Sequence, residues 1–282
     1  MAKILVTGSN GQLGSELKVI ESDYPQHSFV FTDIEELDLT KKDEVIGFLE
    51  ENKIDVCINC AAYTAVDKAE DKQELALLIN KDAVENLAKA CKNVDARLIH
   101  ISTDYVFDGT NHKPYEETDQ PIPNSFYGLS KLRGEQAVVD HSDNFVIIRT
   151  SWLYSTFGNN FVKTMIRLGN ERDELGVVVD QIGTPTYAAD LAKAIMATVE
   201  SENTGIYHYS NQGAISWYDF AKAIMEIKDI NCKVNAIESK DFPAKANRPF
   251  YSVMNKAKMS HDFSIEVPYW LDSLKVMIGK LQ

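Results

Sequence analysis

Short apolar runs alternate along the chain with longer stretches of helical period. The runs cover residues 3–7, 29–32, 55–59, 98–102, 145–149 and 177–179. They are rich in Val and Ile and nearly continuous, as in strands buried on both faces of a parallel sheet. Amphipathic stretches separate them. The clearest spans residues 74–92, with Leu75, Leu78, Ile79, Ala83, Leu87 and Cys91 on one stripe. Parallel strands need a crossover, so the alternation predicts an α/β, doubly wound parallel sheet. Beyond residue 150 helical pattern dominates, at 160–172, 188–200, 217–228 and 268–281, with short extended pieces at 206–209 and 233–237. Ser216, three residues before Asp219, reads as a helix cap. The pattern predicts a sheet domain over residues 1–150, rejoined by about 186–210. A smaller, α-rich C-terminal domain takes 151–185 and 211–282.

Composition narrows the partners. Of 282 residues, 29 are Lys or Arg and 42 are Asp or Glu, a formal charge of −13. Nucleic-acid binders and proteins of anionic membranes need the opposite balance, so no nucleic acid and no membrane are expected. The first apolar run holds only Ile4, Leu5 and Val6 before Thr7, too short for a secretory or membrane segment. Cys57 and Cys60 have C-x-x-C spacing, but side chains three apart on a strand point to opposite faces. They read as small core residues of a cytoplasmic protein. The six histidines show no metal-ligand spacing, and no metal is expected.

The first strand leads into Gly8-Ser9-Asn10-Gly11-Gln12-Leu13-Gly14 and then a helix with Leu13, Leu17 and Ile20 on one side. A strand, a glycine turn and a helix N-terminus form a pyrophosphate cradle in Rossmann-type folds. Asp33 ends the second strand, where an acid can accept hydrogen bonds from ribose hydroxyls. Asp38 and Leu39 are candidate adenine contacts. An acid there favours NADH over NADPH by repelling a 2′-phosphate, unless a nearby cation compensates, so both cofactors stay open.

Tyr127 and Lys131 are four apart, hence on one face if the segment is helical. A nearby ammonium lowers a phenol pKa and makes tyrosine a usable acid or base. The fourth strand runs into Ser102 and Thr103, so a hydroxyl from one of them reaches the ligand crevice.

Together, the glycine turn, the Asp after the second strand, Asn59-Cys60-Ala61-Ala62, the strand-end hydroxyl and Tyr127-x-x-x-Lys131 resemble the extended short-chain dehydrogenase/reductase family. The segments at 61–70, 102–107, 149–154, 158–165 and 183–186 spread the resemblance over most of the chain. They resemble the branch that reduces the 4-keto group of a dTDP-4-keto-6-deoxy sugar with NADPH or NADH. The resemblance implies Tyr127 as proton donor, Lys131 on the nicotinamide ribose and Thr103 at the keto group. Gly11, Gln12 and Leu13 would contact the pyrophosphate, and Ala61, Ala62 and Tyr63 would line the cofactor groove. Asp104, Trp152 and Asn160 would serve the sugar nucleotide. A diphosphate substrate also calls for a cation in the second domain, and Arg248, with its planar fork, is the candidate. Lys163, Arg167 and Lys245 are alternatives. Epimerases and dehydratases on nucleotide sugars share the fold and the Tyr/Lys pair. The regulatory subunit of methionine adenosyltransferase is also similar, and both readings stay open. A small-molecule partner and a monomer or homodimer are expected.

Overall fold

The computed structural model describes residues 1–281. Five expected strands pair in parallel as β1 (Lys3–Thr7), β2 (Ser28–Thr32), β3 (Val56–Asn59), β4 (Arg97–Thr103) and β5 (Phe145–Thr150). Gly205–His208 joins them at the far edge, pairing in parallel with β5. From that edge the order runs Gly205–His208, β5, β4, β3, β1, β2. The order reverses at β1, which opens a crevice at the C-terminal strand ends, where ligands bind in such sheets.

The helices, in chain order, are α1 (Gln12–Ile20), α2 (Lys42–Asn52), α3 (Val66–Ala69), α4 (Gln73–Leu77), α5 (Ala83–Asn93), α6 (Phe126–His141), α7 (Phe161–Glu171), α8 (Ala188–Val199), α9 (Trp217–Ile227), α10 (Ala257–Asp262) and α11 (Trp270–Gly279). Leu17 of α1 and Leu191 of α8 pack with Ile4, Ile58 and Ile148 on one face of the sheet. Leu49 of α2, Leu87 of α5 and Val138 of α6 pack with Leu5, Cys57 and Leu98 on the other. The sheet is therefore buried on both faces, which explains its nearly continuous apolar runs. It also splits the C-x-x-C pair, since Cys57 lies in one core and Cys60 packs against the other. All four cysteines are free thiols.

Two expectations need correction. The run at 177–179 belongs to Glu174–Val178, which lies outside the main sheet and pairs in parallel with Lys233–Ile237. Glu174 and Gly176 are exposed there, so the first part of one face is open and the Val run was a misleading guide. The stretch at 74–92 is also not one regular helix. A π-helical turn, Leu78–Asp82, separates α4 from α5, and it leaves Leu75 and Leu78 exposed. Such single turns insert an extra residue and recur at functional sites.

A further core joins α7, α9 and α11 through Val162, Met165, Phe220, Ile224, Trp270 and Leu274. Ser216 caps α9 as expected, accepting from Asp219 N at 3.0 Å, while the Asp219 carboxylate accepts from Ser216 N at 2.9 Å. Among the described residues no helix is long and apolar enough to cross a membrane. Ser216→Ala should lower unfolding stability by about 1 kcal/mol. Urea denaturation checks this, and unchanged stability would contradict the capping role.

Candidate active site

The glycine turn is shaped by close approaches. Gly8 has φ +63°, and a Cβ there would lie 2.6 Å from Ala61 N. A Cβ on Gly14 would lie 2.5 Å from Ser9 Cα, so the start of α1 sits directly on the turn. Gly11 caps α1 without a side-chain bond, which leaves first-turn N–H groups for an anion. The cradle thus fits a dinucleotide pyrophosphate, and it needs no basic side chain. A cleft of about 480 Å³ runs from it over Asp33, Asp38, Leu39 and Ala61. Asp33 does more than mark the strand end. Its two oxygens accept from Asn10 N at 3.0 Å and Ile34 N at 2.9 Å, bracing the turn.

A second cleft, of about 550 Å³, shares Gly8, Gly11, Cys60 and Ala62 with the first. Gln12, Leu13, Gly14, Thr103, Asp104, Tyr127, Lys131 and Trp152 all line it. The two clefts form one trough across the C-terminal ends of the strands. Ser125 caps α6 by accepting from Gly128 N at 3.1 Å, which places Tyr127 in the first turn and Lys131 one turn on. A Cβ on Gly128 would stand 2.1 Å from Tyr105 O, so only glycine lets α6 come this near the end of β4. Tyr127 then packs edge-to-face on Tyr105, with ring centres 5.4 Å apart, and its hydroxyl lies beside that of Thr103.

The two strand-end hydroxyls now separate. Ser102 donates to Glu135 Oε1 at 2.5 Å and is committed to the core. Thr103 Oγ1 donates to Asp104 Oδ1 at 3.0 Å and faces the trough. Lys131 Nζ donates to Ile101 O at 2.7 Å. Among the described residues its two other protons have no partner at hydrogen-bonding distance. Burial lowers the Lys131 ammonium to about 8, partly offset by Glu135 and Cys60. The expected depression of Tyr127 by Lys131 is not found. Burial raises the phenol instead, opposed by the Thr103 hydroxyl and reinforced by Asp104 and Tyr105. A phenol held in its protonated form suits a proton donor.

The remaining candidates divide. Trp152 lines the trough with a strained φ of +48°, and its ring stacks on Trp217 at 3.7 Å. Tyr63 lines neither cleft; its backbone N–H and C=O are both held by the Asn80 side chain, at 2.8 and 3.0 Å. Asn160 caps α7 and donates to Gln12 Oε1 at 3.0 Å, while its neighbour Asn159 faces the trough. Arg248 is not brought to the trough. It lines a separate cavity of about 340 Å³ and donates to Asp67 Oδ2 at 3.0 Å. Lys163, Arg167 and Lys245 are likewise engaged, by Gly158 O, Glu171 and Asp71. Among the described residues Lys131 is the one cation lining the larger cleft.

Sequence reasoning missed Asn80, the centre of the π turn. It is fully buried and ties the 61–63 segment to Ser130 Oγ of α6 at 2.9 Å. No local pattern marks that turn.

The model of the RmlD substrate binding domain family matches residues 2–282. The chain belongs to this family. It is 41% identical to the dTDP-4-dehydrorhamnose reductase of Aggregatibacter actinomycetemcomitans over 98% of each chain. The crystal structure of a dTDP-4-dehydrorhamnose reductase from Clostridium acetobutylicum superposes with a TM-score of 0.96, at 44% identity over 99% of each chain. That of the Bacillus anthracis enzyme, in complex with NADP, gives 0.95 at 41% identity, again over 99% of each.

In this family member the trough carries a buried carboxyl as well as the buried Lys131. Burial pushes the Asp104 carboxyl from 3.8 up to about 6, with Ser252, the Thr103 hydroxyl and the backbone nearby opposing the shift. A carboxyl raised by folding favours the fold only while protonated. That contribution is complete below pH 3.8 and is lost as pH rises through about 6. Near neutrality the charged form weighs against folding by about 3 kcal/mol. Asp104→Asn should therefore stabilise the ligand-free protein at pH 8, by up to about 3 kcal/mol, with the gain narrowing toward pH 5. Denaturant unfolding at the two pH values checks this, and a variant less stable than the parent at pH 8 would contradict it.

Proposed function

We propose that the chain reduces the 4-keto group of dTDP-4-dehydro-L-rhamnose to dTDP-L-rhamnose, with NADPH or NADH as cofactor and Tyr127 as proton donor. The observation that carries this reading is the meeting of Thr103, Tyr127 and Lys131 in a trough that begins at a pyrophosphate cradle. When bound, the reduced nicotinamide supplies a hydride to the carbonyl carbon. Thr103 and Tyr127 hold the carbonyl oxygen with their hydroxyls. As charge grows on that oxygen, Tyr127 gives up its proton to it. Lys131 turns its free protons toward the ribose and keeps positive charge near the forming phenolate. The cradle of Gly8, Gly11, Gln12, Leu13 and Gly14 holds the pyrophosphate, and Asp33, Asp38, Leu39, Ala61 and Ala62 hold the adenosine end. Asp33 favours NADH, although the Bacillus anthracis relative is in complex with NADP.

The smaller domain, residues 151–185 and 211–282, holds the sugar nucleotide against Asp104, Trp152 and the 159–160 segment. Arg248 serves its far end. Tyr105 lines the trough and also stands beside Arg248, so the nucleotide runs past Tyr105 toward that guanidinium. The protein acts in the cytoplasm, as a monomer or homodimer, on a small-molecule nucleotide sugar.

The test is oxidation of each cofactor in the presence of dTDP-4-dehydro-L-rhamnose, with the product identified. Stoichiometric oxidation and dTDP-L-rhamnose are expected. An isomerised sugar with no net oxidation would favour an epimerase, and no turnover with a captured synthetase partner would favour a regulatory subunit. Tyr127→Phe should lower kcat by roughly 10²–10⁴; near-parental turnover would remove Tyr127 from the donor role.

A further inference from the structure

Behind the catalytic side chains lies a charged node that the reaction does not touch. Arg149 of β5 donates to Glu135 of α6 twice, Nε to Oε1 at 2.9 Å and Nη2 to Oε2 at 2.7 Å. Ser102 of β4 donates to Glu135 Oε1 at 2.5 Å. All three residues are at most 3% exposed. The guanidinium also lies over the Phe107 ring, 5.1 Å from its centre. A buried ion pair is no guarantee of stability, because desolvating both charges offsets most of their attraction. The node does, however, join three elements that each carry or adjoin a working residue. Ser102 precedes Thr103 on β4, and Glu135 follows Lys131 by one turn of the helix that also carries Tyr127.

We propose that Glu135 is a positioning residue. Its carboxylate, clamped by Arg149, fixes the end of β4 that carries Thr103 against α6, and stands one helical turn from the Lys131 ammonium. The other groups facing Lys131 are Cys60 beyond β3, His100 on β4 and Tyr127 on its own helix. Burial holds Cys60 as a thiol and His100 neutral, which leaves Glu135 as the carboxyl group that acts on the lysine. Around Arg149 stand His208, held neutral by burial, and Glu117, raised by its own partial burial. Neither replaces the bidentate grip of Glu135.

Only the kinetic arm of the test rests on the proposed reaction. The first arm uses the ligand-free protein, with ¹³Cε-labelled lysine and the Lys131 signal assigned through Lys131→Met. In Glu135→Gln the Lys131 titration midpoint should fall by about one pH unit. An unchanged midpoint would overturn the proposal. Glu135→Gln leaves Arg149 buried and uncompensated, so the double variant Glu135→Gln/Arg149→Met, which also removes that cation, is measured beside it and should show a midpoint between those of the parent and the single variant. In the kinetic arm kcat should fall roughly 10- to 100-fold, with KM for the sugar nucleotide little changed. The alkaline limb of the kcat profile should move to lower pH. A folded charge variant with the parent's kcat and alkaline limb would overturn the proposal. If neither charge variant folds, Ser102→Ala decides, since it removes one hydroxyl and no charge. A fall in kcat at constant KM supports the positioning role, and a parental kcat overturns it. A parent protein that does not turn over the keto sugar would overturn the proposed reaction and leave the titration arm standing.

Discussion

The site depends on how closely helix α6 approaches the end of strand β4. Two glycines set that distance. A Cβ on Gly128 would stand 2.1 Å from Tyr105 O, and one on Gly134 would stand 2.2 Å from Asn80 O. With both side chains absent, the helix lies directly on the strand-end loop and on the π turn. Tyr127 is then delivered to Thr103, and Lys131 to the Ile101 carbonyl. The approach is held by polar contacts as well as by packing. Asn80 bonds Ser130 from one side, and Glu135 bonds Ser102 and Arg149 from the other. Preorganisation of this kind matters because a misplacement of about 1 Å can cost about 10²-fold in rate.

Burial, more than pairwise charge, sets the protonation states in the trough. It holds Tyr127 protonated, lowers Lys131 to about 8 and raises Asp104 to about 6. The tyrosine therefore starts as an acid, in the direction a reduction requires. The same setting resolves the tension between a chain of charge −13 and ligands bearing diphosphates. The glycine turn offers a diphosphate the backbone N–H groups of a helix start. Cations elsewhere are largely spoken for by carboxylates, as Arg248 is by Asp67 and Lys245 by Asp71. The acidic excess is a property of the outer surface, where it aids solubility.

Much of this was legible in the sequence, and for physical reasons. Strands buried on both faces give continuous Val and Ile runs, so β1 to β5 stood out. Glycines at close approaches leave fixed spacings, so the cradle stood out too. The Val run at 177–179 misled because composition reports burial and not which sheet supplies it. The π turn was hidden because the stretch reads as one continuous apolar stripe, and nothing in it marks the inserted residue that turns Leu75 and Leu78 outward. Long-range polar pairings left no local trace. Glu135 and Arg149 are 14 residues apart, and Asp67 and Arg248 are 181 apart. The second pairing turns Arg248, the cation expected for the substrate diphosphate, to Asp67 beside a separate cavity. Trp152 carried a sequence signal for the site but none for its left-handed backbone or its stacking on Trp217.

The α6–β4 contact sets the Tyr127 and Thr103 hydroxyls side by side at the trough, where both can meet one oxygen of a sugar. A crystal structure with oxidised cofactor and dTDP-L-rhamnose tests it most directly. The sugar O4 is expected within about 2.6–3.2 Å of both Tyr127 Oη and Thr103 Oγ1, the reach needed for proton transfer. A bound sugar whose O4 met neither hydroxyl, with the cofactor seated on the glycine cradle, would contradict it.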